Sequence, residues 1–308
     1  MNKSKSAPDS ILFVFLLALI FWMPIPFGSN RPWAVAILEI WIFAMGIAWL
    51  VLYLQEKIFI SQVLVKARYV LLLFVLYILF IIFQLIPWSS TGAISVDTRV
   101  TLSGLLLSCA YLLLLFLTLN LVNSRRRIML FAGTIILTGV FQALYGSFME
   151  LSVLGGVFVR SSGIATGSFI NRDHFAGYLE ITLAMGIGMM IAMLDEAVIV
   201  QWKGRLRSWL RLLLSPKARL RLYLVMMVIA LILTRSRMGN TAFFTSLLIA
   251  GGIGLVLSKR AVQGTVILLV SLVVIDIFLV GTWRILEYEY SRKFALKRPI
   301  DSLKNSSA

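Results

Sequence analysis

YVLLLFVLYILFIIFQLI, residues Tyr69–Ile86, carries no charged side chain. A helix rises about 1.5 Å per residue, and about 20 mostly apolar residues cross the hydrocarbon core of a bilayer. The stretch reads as a transmembrane helix, flanked by Lys66 and Arg68 on one side and Pro87 on the other. Eight further runs follow the same pattern: Ile11–Phe27, Trp33–Leu54, Leu102–Val122, Ile128–Met149, Phe175–Leu194, Leu220–Thr234, Gly239–Ser258 and Val262–Trp283. The expected fold is an all-α, polytopic transmembrane bundle of about nine spans. The first and seventh runs are short, and Arg219 and Arg221 are expected to snorkel to the headgroups from the start of the seventh.

Composition agrees. The chain of 308 residues is 60% hydrophobic and 14% charged, with a mean hydropathy of +0.95. Soluble domains average about 45–50% apolar and about 25% charged. No polar segment is long enough for a separate soluble domain, so residues 1–308 read as one membrane domain. Lys3 and Lys5 before Ile11–Met23 resemble the start of a signal peptide, but Pro24, Pro26 and Phe27 stand where small residues would mark cleavage. A first transmembrane helix is the better reading.

The distribution of cations sets the expected orientation. One set of alternate loops holds Lys3, Lys5, Lys57, Lys66, Arg68, Arg125, Arg126, Arg127, the seven cations from Lys203 to Arg221, Lys259 and Arg260, which is 17. The other set, before the C-terminal tail, holds Arg31, Arg99, Arg160, Arg172, Arg235 and Arg237, which is 6. The first set is therefore assigned to the cytoplasm, with the N-terminus. An odd number of spans then leaves the C-terminus and the tail 284–308 on the opposite, periplasmic face. The net charge of +16 follows from cytoplasmic loops facing anionic lipid and gives no reason to expect nucleic acid. Between Glu196 and Pro216, Ile199, Trp202, Leu206, Leu210 and Leu213 recur every three or four residues, which predicts an amphipathic interfacial helix over 196–216. Gly186 with Gly188, and Gly251, Gly252 and Gly254, permit close helix approach.

Cys109 and His174 are the only residues of their kinds. That excludes an intrachain disulfide, a cysteine-based metal cluster and mechanisms needing two imidazoles. No metal and no cofactor are expected.

Chemistry is sought among the external arginines, which run against the positive-inside bias and are costly near a membrane without a partner. Arg160 begins a stretch through Gly163 and Gly167 to Asn171-Arg172-Asp173-His174, which opens the sixth run. Helix N-terminal amides and Arg172 are suited to an anion such as a phosphate. Equally, Asn171 or Asp173 caps the helix and Arg172 pairs with Asp173. The second cluster, Thr234-Arg-Ser-Arg-Met-Gly239, puts two arginines and two hydroxyls in a short turn without an acid. Guanidinium forks suit phosphate oxygens, so an anion site is favoured over a solvated turn. His174 is open as a weak candidate for a general base, or as a cap or packing residue.

Gly167-Ser-Phe-Ile-Asn-Arg-Asp-His-Phe-Ala-Gly-Tyr-Leu-Glu180 resembles the Gly-x-Phe-x-Asn-x-x-x-x-Ala-x-Tyr-Leu signature of the O-antigen ligase and O-antigen polymerase family. Leu233-Thr-Arg-Ser-Arg-Met-Gly239 is similar to that family's second signature, a turn between helices. Both stand in the family's order; the rest of the chain resembles it mainly in hydropathy. The resemblance implies a multi-pass protein of the bacterial inner membrane that takes glycan from undecaprenyl diphosphate on the periplasmic face, without a metal. Arg237 matches the arginine of the second signature, with Arg235 beside it. Asn171 matches the first, Arg172 occupies a variable position, and Arg160 stands where members often carry a basic residue. His174 does not match the histidine of the family's large periplasmic loop. That loop follows the helix matching Val262–Trp283, so the acceptor-activating half is expected beyond Ala308, leaving the catalytic residue unassigned. Three functions are compatible with these features: a ligase-like or polymerase-like glycosyltransferase, a non-enzymatic polysaccharide or lipid transporter, and an inactive truncated remnant or subunit completed by a second polypeptide.

Overall fold

The computed structural model describes residues 7–89, 92–151, 164–193 and 216–257. Arg160, the segment 196–216 apart from Pro216, the ninth expected span Val262–Trp283 and the tail 284–308 lie outside the described residues. The described chain is a helical bundle, with one short antiparallel pairing of Pro87–Ser89 (β1) with Gly92–Ala93 (β2). Its helices are α1 (Ala7–Trp22), α2 (Pro32–Leu54), α3 (Gln62–Lys66), α4 (Arg68–Leu85), α5 (Thr98–Leu121), α6 (Arg125–Leu151), α7 (Arg172–Ala192), α8 (Pro216–Leu233) and α9 (Arg237–Leu257). Five of them, α2, α4, α5, α6 and α7, are long and apolar enough to cross a membrane, and α1 is apolar but shorter. These are the features of a multi-pass membrane protein.

The first expected span, Ile11–Phe27, is corrected. Helix α1 stops at Trp22, and a 3-10 turn occupies Phe27–Ser29. Pro24 and Pro26 explain the stop: proline has no N–H to donate and disfavours helical backbone in the residue before it. The Ser29 hydroxyl donates to the Met23 carbonyl at 2.6 Å, satisfying a group left open at the helix end. The other starts follow local rules. Pro32 opens α2, where its missing N–H costs nothing. Asp97 caps α5 by accepting from the Arg99 and Val100 amides.

Contacts between helices fix their directions. Asp9 meets Arg127, and Pro24 meets Gln142; both steps are fifteen residues (24 − 9 and 142 − 127), so α1 and α6 run parallel. A Cβ on Gly139 would meet Thr182, whereas one on Gly146 would meet Phe175, so α6 and α7 run antiparallel. Two apolar cores result. One joins α1, α2 and α5 around Leu16, Leu38, Ile42 and Leu117. The other joins α6, α7, α8 and α9 around Phe175, Leu179, Leu183, Met227 and Leu231. In the second, Gly186 lets α8 approach as expected, since a Cβ there would stand 2.6 Å from a Leu224 methyl, while Gly188 faces open space.

Candidate functional site

The second core ends in a cap built from three chain segments: the turn after α1, residues 164–171, and the turn 234–236. Each is fixed by residues the sequence makes conspicuous only in part. Gly167 takes a φ of +56°, which glycine adopts without strain, and a Cβ there would press on Gln142 and Phe175. This turn presents Ser168 to Gln142, which is fully buried. The Gln142 amide nitrogen donates to Ser168 Oγ at 2.8 Å and to the Pro24 carbonyl at 3.2 Å. Its carbonyl oxygen accepts from the Ser168 amide at 3.1 Å, and Ser168 Oγ donates to Pro24 O at 2.6 Å. The amide is satisfied at both ends, as burial in an apolar bundle requires.

The aromatic positions of the first signature then pack inward. The Phe169 ring lies so close to Gly28 that a Cβ on Gly28 would stand 2.5 Å from it. Phe169 also contacts the Phe175 and Tyr178 rings, with centroids 5.8 and 5.3 Å away. The Tyr178 hydroxyl donates to Thr138 Oγ1 at 2.7 Å. Phe169 and Tyr178 thus bind the signature to α6 and to the turn after α1.

Asn171 caps α7, accepting from the Asp173 amide at 2.8 Å. The structure therefore assigns the cap to Asn171 rather than to Asp173. Arg172 and Asp173 approach to 3.9 Å, but both side chains are about half exposed. A pair of that length and exposure contributes little. His174 is exposed at the same helix start.

The second signature is a capped turn. The Thr234 hydroxyl donates to Leu231 O and accepts from the Ser236 amide, and Ser236 Oγ accepts from the Gly239 amide at 3.1 Å to cap α9. Both hydroxyls are buried and structural. Arg235 takes a φ of +53° and is half-buried, while Arg237 is exposed.

The two signatures meet. The Ala165 amide donates to the Leu233 carbonyl at 3.1 Å, tying the segment before the first signature to the start of the second. A Cβ on Gly239 would stand 2.6 Å from the Ala176 Cβ and 3.1 Å from a Glu180 carboxylate oxygen. Ala176 lies four residues after Arg172 and Gly239 two after Arg237. At about 1.5 Å per residue both arginines stand within about one turn of that contact, at the N-termini of adjacent helices.

The structure thus brings Asn171, Arg172, Arg235 and Arg237 to one end of the bundle. The sequence alone gives no site role to Gln142, Ser168 or Glu180. Gln142 was visible as a polar residue in an apolar run, but its partners lie 118 and 26 residues away. Glu180 supplies an acid beside a turn that contains none.

An exposed cation pair at the positive ends of two helix dipoles is suited to a multivalent anion. Compared with protein-family models, with curated proteins and with solved structures, the chain matches none of them.

Proposed function

We propose that the chain is an O-antigen ligase-like membrane protein of cell-surface polysaccharide assembly that binds the diphosphate of an undecaprenyl-linked glycan through Arg172, Arg235 and Arg237. The single observation carrying this reading is the packing of the two signature stretches against each other at Ala176 and Gly239. Stretches far apart in sequence form one polar cap, and both place arginine there.

The proposed topology keeps nine spans in a bacterial inner membrane, with the N-terminus and the basic loops cytoplasmic and the arginine cap periplasmic. In the proposed transfer, an acceptor hydroxyl attacks the anomeric carbon of the glycan. The bond from that carbon to the diphosphate oxygen breaks, and the hydroxyl proton passes to a base. Guanidinium groups stabilise the charge that develops on the departing diphosphate. Asn171 acts indirectly, by holding the helix start that carries Arg172.

The test is binding of undecaprenyl diphosphate to the purified protein, followed by native mass spectrometry with undecaprenyl monophosphate as reference. Arg237→Ala is expected to weaken the diphosphate complex about tenfold or more, which corresponds to about 1.4 kcal/mol. It should change monophosphate binding less. Unchanged diphosphate affinity in Arg237→Ala would overturn the assignment.

A further inference from the structure

A second feature lies toward the opposite end of the bundle. Helices α2, α4 and α5 leave between them a cavity of about 750 Å³, lined by residues such as Ile47, Leu50, Val75, Leu79, Cys109 and Leu112. Ligand pockets commonly span about 300–1,000 Å³. Its lining holds no charged side chain. Within the three helices it occupies the end of α2, the first half of α4 and the latter half of α5.

That is the end where the loop 57–68 crosses. The loop is anchored there: the Ser61 amide donates to Asn120 Oδ1 at 2.9 Å, near the end of α5, and Ile58 is buried. Much of the segment around α3 is exposed. Phe59, Ile60, Val63 and Val65 are exposed beside Lys57, Lys66 and Arg68. Apolar and basic side chains exposed together at a helix end are the pattern of a segment lying in the membrane interface. Arg68 stands three residues before Leu71, which lines the cavity, so its backbone is about one turn from the cavity's end. Its guanidinium lies 4.8 Å from the Tyr69 ring and donates to the Tyr69 hydroxyl at 2.9 Å. Tyrosine is enriched where a transmembrane helix meets the headgroups, and Tyr69 stands at the start of α4. No acid lies between Lys57 and Arg68.

We propose that this cavity is a binding site for an anionic phospholipid, with an acyl chain between α2, α4 and α5 and the phosphate at Lys66 and Arg68. Charge decides the occupant. An apolar groove alone accepts any acyl chain, but cations at its headgroup end favour a lipid with net negative charge. The inference rests on the membrane fold and is independent of the proposed glycan chemistry.

The test uses the full chain in vesicles containing phosphatidylglycerol or phosphatidylcholine with a photoactivatable acyl chain, and maps the labelled residues. Phosphatidylglycerol should label Val75, Leu79 and Cys109 several-fold more than phosphatidylcholine does. Lys66→Ala with Arg68→Ala should remove that preference and leave phosphatidylcholine labelling unchanged. Val75→Trp, which fills the groove, should lower labelling by both lipids; an unchanged melting temperature confirms that this variant is folded. Equal labelling by the two lipids would mean ordinary boundary lipid and overturn the proposal. So would labelling spread evenly over bilayer-facing helices, or cross-links between two copies of the chain in place of groove labelling.

Discussion

Arg127 and Arg237 each stand in the first turn of a helix, at opposite ends of the bundle. Arg127 is buried. Its guanidinium binds Asp9 at 2.8 Å, donates to the Leu121 carbonyl at 2.9 Å and lies 4.8 Å from the Phe13 ring. Arg237 is exposed, in a turn whose hydroxyls are already engaged with the backbone. In the sequence both are arginines flanking an apolar run. The difference between them lies in their surroundings: Arg127 is satisfied inside the protein and fastens α1 to α6, whereas Arg237 is exposed at the end of the bundle.

Breaking the comparison at Arg127 should have the largest effect. Removing one member of a buried pair strands the other in a poorly solvated place, at a typical cost of about 3–5 kcal/mol. Asp9 keeps 17% of its side-chain exposure, so the lower figure applies. Arg127→Ala is expected to destabilise the protein by about 3 kcal/mol, measured as loss of folded protein in detergent against denaturant. Replacing Asp9 and Arg127 together by apolar residues should cost less than Arg127→Ala alone. A near-neutral Arg127→Ala would show that the pair is solvated.

This contrast marks what the sequence discloses. Apolar runs identify the long helices because, in a bilayer, a helix satisfies its own backbone and hydropathy alone reveals it. The end of α1 was overrun because hydropathy does not register that Pro24 and Pro26 interrupt the hydrogen-bond ladder. Helix α3 and the β1–β2 pairing are too short to leave a periodic signal. At the candidate site, the arginines and the Asn171 cap were legible as residue types at a helix start. The Glu180 approach and the Gln142–Ser168–Pro24 linkage were not, because each depends on which helices become neighbours. Arg127 shows the same limit: counted as a loop cation, it is in fact an internal tie.

At the arginine cap itself, Gly239 sets the spacing. Gly239→Ala would place a methyl 2.6 Å from the Ala176 Cβ. Neither group is a flexible side-chain end, so the backbones must separate. Overpacking of this kind typically costs about 1–3 kcal/mol. The expected result is a loss of about 2 kcal/mol in detergent stability, together with weaker diphosphate binding because the two arginine-bearing turns move apart. Lost stability with intact binding would separate packing from the proposed site.

Asn171→Ala should have a smaller effect. It removes the side-chain acceptor of the Asp173 amide, and loss of such a cap costs about 1 kcal/mol. Asn171→Asp should restore most of the stability, since aspartate caps equally well. Failure of that rescue would mean that the asparagine amide has a further role at the cap.

The smallest effect on stability is expected at Arg237, and it is the one that sharpens the comparison most. An exposed side chain away from any buried network changes stability by about 0.5 kcal/mol or less. Arg237→Ala should therefore melt within that margin of the unaltered protein in the absence of ligand. With undecaprenyl diphosphate present, the unaltered protein should gain stability through the binding equilibrium, and the variant should gain less. If Arg237→Ala instead costs as much as Arg127→Ala without ligand, Arg237 is a second structural tie, and the contrast between the two ends of the bundle disappears.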